Sequence, residues 1–189
     1  MSTAARERAE AVRRSAKAQG AFEALARRFY AGVYNYLCWI SRDRGLAEDL
    51  TQETFMRIWE HPPELRHERA LKAWVYRVAR NEFLQHRRRA GLDTVTFEEC
   101  GEAVQVDSGS PSPQQTLERE GLRRAVRDAV EKLPDECREV IVLHNLEHLS
   151  LAQTAEVLGV PIGTVKSRRA RAFSTLRHLL QEEVETDEV

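Results

Sequence analysis

A cluster of basic side chains towards the end of the sequence has the composition of a DNA-reading surface. Ala155 is followed four positions later by Gly159 and six positions after that by Val165. This spacing is typical of a helix-turn-helix, because alanine lets two helices approach, glycine takes the left-handed turn and valine fills the angle between the helices. The second helix then carries basic and hydroxyl groups that can bind phosphates and base edges of duplex DNA. They belong to Thr164, Lys166, Ser167, Arg168 and Arg171.

A second basic cluster alternates with aromatic residues and suits single-stranded nucleic acid. Residues 66–89 contain eight Lys or Arg and two acids, with Trp74, Tyr76 and Phe83 between them. Aromatic rings beside arginine can stack on unpaired bases. Trp74 falls on the apolar stripe of the expected helix, so we expect it in the core. The candidates for contact are Tyr76, Arg77, Arg80 and Asn81.

Residues 144–148 match the H-x-x-E-H pattern of certain zinc peptidases. Zinc chemistry would need one continuous helix through His144 and His148, a third ligand and a cleft. Ser150 and Gln153 form a capping-box pattern that begins a new helix two residues after His148. We therefore favour surface histidines and expect no metal, no cofactor and no enzymatic activity.

Helical spacing of apolar residues dominates on both sides of one acidic segment. Residues 91–116 contain glycines, prolines and a run of acids, which predicts a flexible linker. No period-two alternation of useful length occurs, so we expect an all-α protein of two small helical domains. The expected divisions are an extension (1–20), a first domain (21–90), the linker (91–116), a second domain (117–182) and an acidic tail (183–189). In the first domain, the stripe Leu71, Trp74, Val75 and Val78 predicts the buried face of the third helix.

Composition places the chain in a reducing compartment. The three cysteines are widely separated, which indicates free thiols. No stretch approaches the roughly 18 apolar residues of a membrane span, and the first residues have no secretory h-region. We expect a cytoplasmic protein without membrane insertion. The net charge of −1 hides two basic and two acidic tracts.

Three motifs, in order, resemble those of extracytoplasmic-function sigma factors of bacterial RNA polymerase. Residues 47–59 (AEDLTQETFMRIW) look like the polymerase-binding helix of that family, and residues 71–81 (LKAWVYRVARN) look like its −10 reading helix. Residues 133–140, 149–155 and 163–168 resemble its −35 reading domain. The resemblance implies promoter recognition and strand opening in complex with core RNA polymerase.

The resemblance also implies a role for each group of residues. The helix that would dock on the largest polymerase subunit would contact it through Asp49, Gln52, Glu53, Phe55, Arg57 and Trp59. Leu50 and Ile58 of the same helix are expected in the core instead. Melted −10 DNA would meet Arg66, Lys72, Tyr76, Arg77, Arg80 and Asn81. Duplex −35 DNA would meet Thr164, Lys166, Ser167, Arg168 and Arg171. Since family members are commonly held inactive by an anti-sigma factor, we expect such a partner.

Arg169 and Ala170 depart from the family pattern, which usually has an apolar residue at the first position and often His or Phe at the second. This leaves the −35 sequence preference open. The alternative function is a stand-alone helix-turn-helix regulator that binds duplex operators, ordinarily as a dimer. The polymerase-type helix and the single reading helix argue against it.

Overall fold

The computed structural model describes residues 3–63, 68–91 and 113–186, and every regular element in these ranges is helical. This confirms the all-α expectation. Residues up to 91 are called the first half below, and residues from 113 the second half. The helices are α1 (Thr3–Ser41), α2 (Arg44–Glu60), α3 (Glu68–Arg89), α4 (Pro113–Glu131), α5 (Asp135–Ile141) with a π-helical turn (Val142–Leu146), α6 (Leu151–Leu158) and α7 (Ile162–Thr186). Most of the expected linker, residues 92–112, lies outside the described residues.

α1 carries the core of the first half and starts earlier than its apolar stripe. It begins at Thr3, so the boundary expected at residue 20 falls inside one helix. Its buried residues Val33 and Leu37, one turn apart, pack with Leu50 and Ile58 of α2. The expectation that Leu50 and Ile58 lie in the core is therefore confirmed.

Local signals set the ends of α2. The Asp43 carboxylate accepts a hydrogen bond from the backbone N–H of Leu46 at 3.0 Å, which satisfies one of the free donors at the helix start. At the other end, His61 closes the helix and Pro62–Pro63 prevents its continuation. α2 thus presents one face to the core and leaves the other exposed.

The helix-turn-helix of the second half follows its sequence signature. Ser150 and Gln153 form both hydrogen bonds of the capping box at the start of α6. Gly159 ends α6 with φ 65°, the left-handed conformation that costs glycine least. Val165 is completely buried between α6 and α7. These local features leave the first turn of α7 exposed to solvent.

The expected buried face of α3 is only partly correct. Val75 is fully buried, but Leu71, Trp74 and Val78 are half-buried, and Tyr76 is only 1% exposed. The reason is that α3 is covered on a second side, where α6 and the segment after the π-helical turn pack on it. An amphipathic pattern identifies the apolar face of a helix. The second contact of α3 is made by its polar face, which such a pattern does not mark as buried.

The two halves are packed together and share one buried apolar cluster. Val142, Leu143 and Leu149 of the second half belong to the same cluster as Val33 and Leu37 of the first. We expected two domains joined through a linker; the structure adds direct packing between them.

Gly32 lies at the centre of this contact. A Cβ atom there would meet the Tyr76 hydroxyl and would lie 2.8 Å from Glu147 Oε2. The helix tolerates a glycine here, at a cost of roughly 1 kcal/mol relative to alanine, because the side chains of Tyr76 and Glu147 fill the space.

Candidate functional site

The start of α7 presents most of the side chains expected to bind duplex DNA. Lys166, Ser167 and Arg171 are exposed, and Thr164 is half-buried. The Ser167 hydroxyl donates a hydrogen bond to the Thr164 carbonyl at 3.0 Å. Because buried Val165 anchors this turn, the basic groups lie on a rigid helix end, where the helix dipole also favours phosphate.

Arg168 is held by an acid from a neighbouring helix. Its Nη2 lies 2.9 Å from Oε2 of Glu136 in α5. The Arg168 side chain is four-fifths buried, whereas Glu136 is largely exposed. DNA binding through Arg168 would therefore exchange a carboxylate partner for a phosphate or a guanine edge.

Arg169 points towards the π-helical turn rather than outward. Its Nη1 lies 2.9 Å from Nε2 of His144, and Nδ1 of His144 lies 2.7 Å from the Leu149 carbonyl. A carbonyl only accepts, so Nδ1 carries the proton and Nε2 accepts from the guanidinium. This contact explains how a charged residue occupies a position that is usually apolar in the resembled family. The sequence places a histidine and an arginine on neighbouring elements, but it contains no signal that pairs them.

The H-x-x-E-H residues do not lie on one continuous helix. The π-helical turn ends at Leu146, and His148 has φ 55° and is exposed. Glu147 points towards Tyr76 of the first half, and both nitrogens of His144 are engaged. Within residues 3–63, 68–91 and 113–186, no three His, Cys, Asp or Glu side chains are grouped to hold a metal ion.

The outer face of α2 combines acids with exposed apolar side chains. Among the residues expected to bind polymerase, Phe55 is an exception, because it is 6% exposed and packs in the core. Asp49, Gln52, Glu53, Arg57 and Trp59 are exposed. Arg57 also forms an ion pair at 3.0 Å with buried Glu82 of α3.

Met56 completes this face, although it is not among the residues expected there from the sequence. It is 63% exposed, and Trp59, one turn away, is 50% exposed. Its position at i+7 from Asp49 and i+3 from Glu53 was the signal that could have placed it on the same face. Exposed Tyr30 of α1 stacks on Phe55 at 5.4 Å between ring centroids, which extends the apolar area.

An apolar groove of about 550 Å³ adjoins the same face. Phe22, Leu25 and Leu71 line it, together with Trp59 and Pro62. The rings of Phe22 and Trp59 meet edge to face at 5.0 Å, so this contact orients the exposed indole.

The polar face of α3 is occupied by acids of the second half. Arg80 donates from Nε and Nη2 to the two carboxylate oxygens of Glu139, at 3.0 and 3.3 Å. The Tyr76 hydroxyl donates to Oε2 of Glu147, and Lys72 Nζ donates to the Glu147 carbonyl.

The outermost contact between α3 and α6 joins Arg77 to Glu156 at 3.2 Å, and both groups are exposed. Asn81 is exposed as well, and Arg66 lies outside the described residues. Of the six residues expected to meet −10 DNA, four therefore contact the second half in this structure.

Burial shifts the protonation equilibria at this contact. It raises the pKa of Glu147, against the opposing effects of the Tyr76 hydroxyl and Lys72. Burial, with Glu147 nearby, also raises the pKa of Tyr76 far above its ordinary range, and burial lowers the pKa of Lys72. Burial lowers the pKa of Arg80, but Glu139 outweighs it and leaves a net rise. The contact thus favours a neutral tyrosine and a charged arginine.

Comparison with known proteins gives the family of both halves of the chain. Residues 25–92 match the family model of Sigma-70 region 2, and residues 123–176 match that of Sigma-70 region 4. The ECF RNA polymerase sigma factor SigL of Mycobacterium tuberculosis is 35% identical over 170 residues, which are 87% of this chain and 94% of that protein. This chain belongs to the ECF sigma factors.

A second relative is longer than this sigma factor. The ECF RNA polymerase sigma factor SigE of Mycolicibacterium smegmatis is 32% identical over 164 residues, which are 86% of this chain and 63% of that protein. The chain therefore spans under two thirds of SigE and nearly all of SigL.

Two solved structures resemble this sigma factor along most of its length. The sigma factor RpoE of Bartonella quintana, in complex with the anti-sigma factor NepR, matches with a TM-score of 0.65 and 29% identity, over 85% of this chain and 96% of that one. CnrH, in complex with the cytosolic domain of CnrY, matches with a TM-score of 0.59 and 26% identity, over 88% of this chain and 94% of that one.

Membership in this family makes the chain a transcription initiation factor that acts with RNA polymerase at promoters. In the described part of the sigma factor, no helix is long and apolar enough to cross a membrane. Cys38 and Cys137 are buried, reduced thiols, and burial raises the pKa of each, which disfavours the reactive thiolate. Cys100 lies outside the described residues.

Proposed function

We propose that this sigma factor divides promoter recognition between three surfaces. The start of α7 binds the −35 element as duplex, the polar face of α3 binds the melted −10 strand, and the outer face of α2 docks on core RNA polymerase. The assignment of individual residues follows the family motifs. The exposure and chemistry of the α2 and α7 surfaces support it, and the basic and aromatic side chains of α3 support the third surface.

The observation that carries the proposal is the start of α7. Lys166, Ser167 and Arg171 are exposed on a helix end that buried Val165 anchors. Exposed lysine and serine suit phosphate contacts, and arginine suits a guanine edge in the major groove. A helix that inserts into the major groove needs this combination of a rigid base and outward-facing donors.

The outer face of α2 has the chemistry of a protein interface. Exposed Met56 and Trp59 offer apolar area, and Trp59 is a residue type that often dominates binding energy. Asp49 and Glu53, one turn apart and both exposed, can meet a basic partner and set its orientation. Arg57, paired with Glu82, fixes α2 against α3. Polymerase docking thus holds the −10 surface close to the DNA.

Strand opening requires no covalent step by this chain. Capture of unstacked bases by α3 would offset an unstacking cost of roughly a few kcal/mol per base. We therefore propose a non-enzymatic factor that works in the cytoplasm, where RNA polymerase acts. The domain limits that fit this division are residues 21–90 and 117–182, with the linker at 91–116.

An anti-sigma factor is the second class of partner that we propose. In the solved structures that resemble this chain, the sigma factor RpoE is in complex with the anti-sigma factor NepR, and CnrH is in complex with the cytosolic domain of CnrY. The apolar groove beside Trp59 lies next to the polymerase-docking face, so an inhibitor bound there would compete with polymerase.

Co-migration of the purified chain with core RNA polymerase on a sizing column tests this function. A stoichiometric complex that starts transcripts at discrete sites on a library of genomic fragments is the expected result. Specific duplex binding by the chain alone, with no polymerase complex, would instead support the stand-alone regulator.

A further inference from the structure

We infer that Glu136 determines specificity for the −35 element, because its carboxylate holds the Arg168 guanidinium in the orientation from which it reads a base edge. The inference rests on the proposed role of α7 in binding the −35 duplex. Glu136 acts through Arg168, so it is a positioning residue and makes no contact with DNA of its own.

The two acids in the first turn of α5 face different partners. Asp135 lies 2.9 Å from Nη2 of Arg138 in the same helix and 3.7 Å from Nη2 of Arg42. Glu136 instead lies 2.9 Å from Nη2 of Arg168 in α7. Both acids can stabilise the helix dipole of α5, so the dipole does not explain their different directions. Of the two, Glu136 is the one that reaches the reading helix.

A buried contact between α5 and α7 lies beside this ion pair. Cys137 follows Glu136 directly and is buried. Ala172, one turn after Arg168, is fully buried and belongs to the same apolar cluster as Cys137. Burial raises the pKa of the Cys137 thiol, which Arg171 lowers and Glu136 raises further. Packing thus fixes the start of α5 against α7, with the second arginine of the reading surface close to the same turn.

A carboxylate beside a DNA-binding surface repels phosphates and lowers affinity for any sequence. Lys166 on the same surface is exposed and offers a compact charge that suits phosphates of any sequence. The Arg168 side chain, by contrast, is four-fifths buried and held by Glu136 before DNA arrives. A held guanidinium loses less rotamer freedom on binding and has fewer orientations in which it can meet a wrong base. Glu136 therefore contributes to discrimination between sequences and not to general affinity.

The exchange of partners on DNA binding is partial in this arrangement. A guanidinium has five donor hydrogens, so two can face O6 and N7 of a guanine while Nη2 keeps a bond to Glu136. A bidentate contact of this kind discriminates guanine from other bases by about 5- to 150-fold. It needs the plane of the guanidinium to match the plane of the base, and the carboxylate fixes that plane.

Two substitutions of Glu136 separate its charge from its capacity to accept a hydrogen bond. Glu136→Ala removes both, and Glu136→Gln keeps an acceptor oxygen without the charge. The matched control, Glu156→Ala, removes the same charge from an exposed glutamate of α6, whose partner Arg77 lies on α3. Arg168→Ala, alone and combined with Glu136→Ala, completes a double-mutant cycle. Circular dichroism and polymerase co-migration confirm that each variant is folded.

Discrimination is measured with the full-length chain in complex with core RNA polymerase. The probe is the duplex promoter at which this complex starts most transcripts from a library of genomic fragments. Each base pair of its −35 region is replaced in turn by the three others, and competition gel shifts give the ratio of affinities for the original and the replaced duplex. A merely structural role of Glu136 would weaken binding to all these duplexes alike and leave the ratios unchanged.

The expected result for Glu136→Ala is a loss of about fivefold or more in the ratio at one G·C base pair, the same base pair that Arg168→Ala affects. Glu136→Gln should show a smaller loss, and Glu156→Ala none. In the Arg168→Ala background, Glu136→Ala should change no ratio further, since the residue acts through Arg168.

Unchanged ratios in Glu136→Ala would overturn the inference, and tighter binding of every duplex would then show that the carboxylate only competes with DNA. The same loss in Glu156→Ala would trace the effect to net charge and also overturn it. A further loss in the Arg168→Ala background would mean that Glu136 contacts a base itself, which is likewise contrary to the inference.

The same measurements separate this inference from the proposed function. If Arg168→Ala loses discrimination and Glu136→Ala does not, only the inference is wrong. If Arg168→Ala keeps every ratio, Arg168 does not read the −35 element, and the role of Glu136 is wrong with it. If the wild-type chain forms no complex with core polymerase, the proposed function is wrong.

Discussion

Arg80 and Glu139 form a forked pair of hydrogen bonds, at 3.0 and 3.3 Å, although 59 residues separate them in the chain. We predict that Glu139→Ala lowers the free energy of unfolding by about 1–3 kcal/mol, because Arg80 loses a charged partner in a mostly buried place. Urea denaturation measures the change. Arg80→Ala and the double variant complete a thermodynamic cycle.

This cycle should show coupling. The double variant is expected to lose less stability than the sum of the two single variants, since either substitution already breaks the pair. Strictly additive losses would mean that the two side chains do not interact in solution.

The stability of the packing between the halves should depend on pH through Glu147. Burial raises its pKa in the packed state, next to Tyr76, Lys72 and His148. Its contribution is therefore full below the pKa of an unfolded glutamate, about 4.3, and is lost as the pH rises through the raised value. Glu147→Gln does not titrate and can still accept from Tyr76. We expect the variant to gain unfolding free energy relative to wild type between pH 4 and pH 7.

Urea titrations of both proteins at several pH values measure this gain. Groups common to both proteins cancel in the difference. A difference that stays constant over the whole range would show that the Glu147 carboxylate is not buried against Tyr76.

Promoter binding should depend on Arg168 and Arg171 but not on every arginine of α7. Arg168→Ala and Arg171→Ala are each expected to weaken binding of the polymerase complex to promoter duplex by about 1–3 kcal/mol, since each removes a donor to a base edge or phosphate. Arg177→Ala removes the same charge from an exposed site farther along the helix. Equal effects of all three in a gel-shift titration would indicate general charge attraction instead of a reading surface.

Polymerase affinity should depend on the apolar part of the α2 face. Met56→Ala and Trp59→Ala are expected to weaken core polymerase binding, with Trp59→Ala costing about 2 kcal/mol or more, as tryptophan anchors often do. Phe173→Ala truncates an exposed aromatic of α7 and should leave this affinity unchanged. Competition for labelled core polymerase gives the values, and unchanged binding by both α2 variants would place the interface elsewhere.

Arg169 should stabilise the contact between α7 and the π-helical turn rather than bind DNA. Arg169→Leu removes the donor to His144 Nε2 and restores the apolar character usual in the family. We expect a change in unfolding free energy of at most about 1 kcal/mol and a smaller loss of promoter affinity than for Arg168→Ala. A larger loss of affinity than that of Arg168→Ala would place Arg169 on the DNA.

Local features of the fold were readable from the sequence because their causes are local. The capping box at Ser150 and the left-handed end at Gly159 depend on residues within one turn of each other. The burial of Leu50 and Ile58 follows from their spacing along α2. The same spacing indicated an exposed α2 face, although it did not show that Phe55 turns into the core.

The contacts between α3 and the second half could not be predicted from local sequence patterns. Tyr76 and Arg80 lie on its polar side, and an apolar period carries no information about which acid, 59 or 71 residues later, will cover them. The π-helical turn at 142–146 is also invisible to a 3.6-residue period. Pairing of polar side chains across a long separation is a tertiary property, so the sequence alone could not provide it.

The distance in sequence between α3 and the glutamates that contact it also determines how long α3 exists without them during synthesis. Arg77 and Glu156 are 79 residues apart, so a ribosome working at about 5–20 residues per second needs roughly 4–16 s to pass from one to the other. For most of that interval all of α3 has been made, whereas Glu156 has not. The nascent chain therefore passes through a period in which the face of α3 that we propose to bind nucleic acid is uncovered. The packing of the second half on α3 is a late event of its biogenesis.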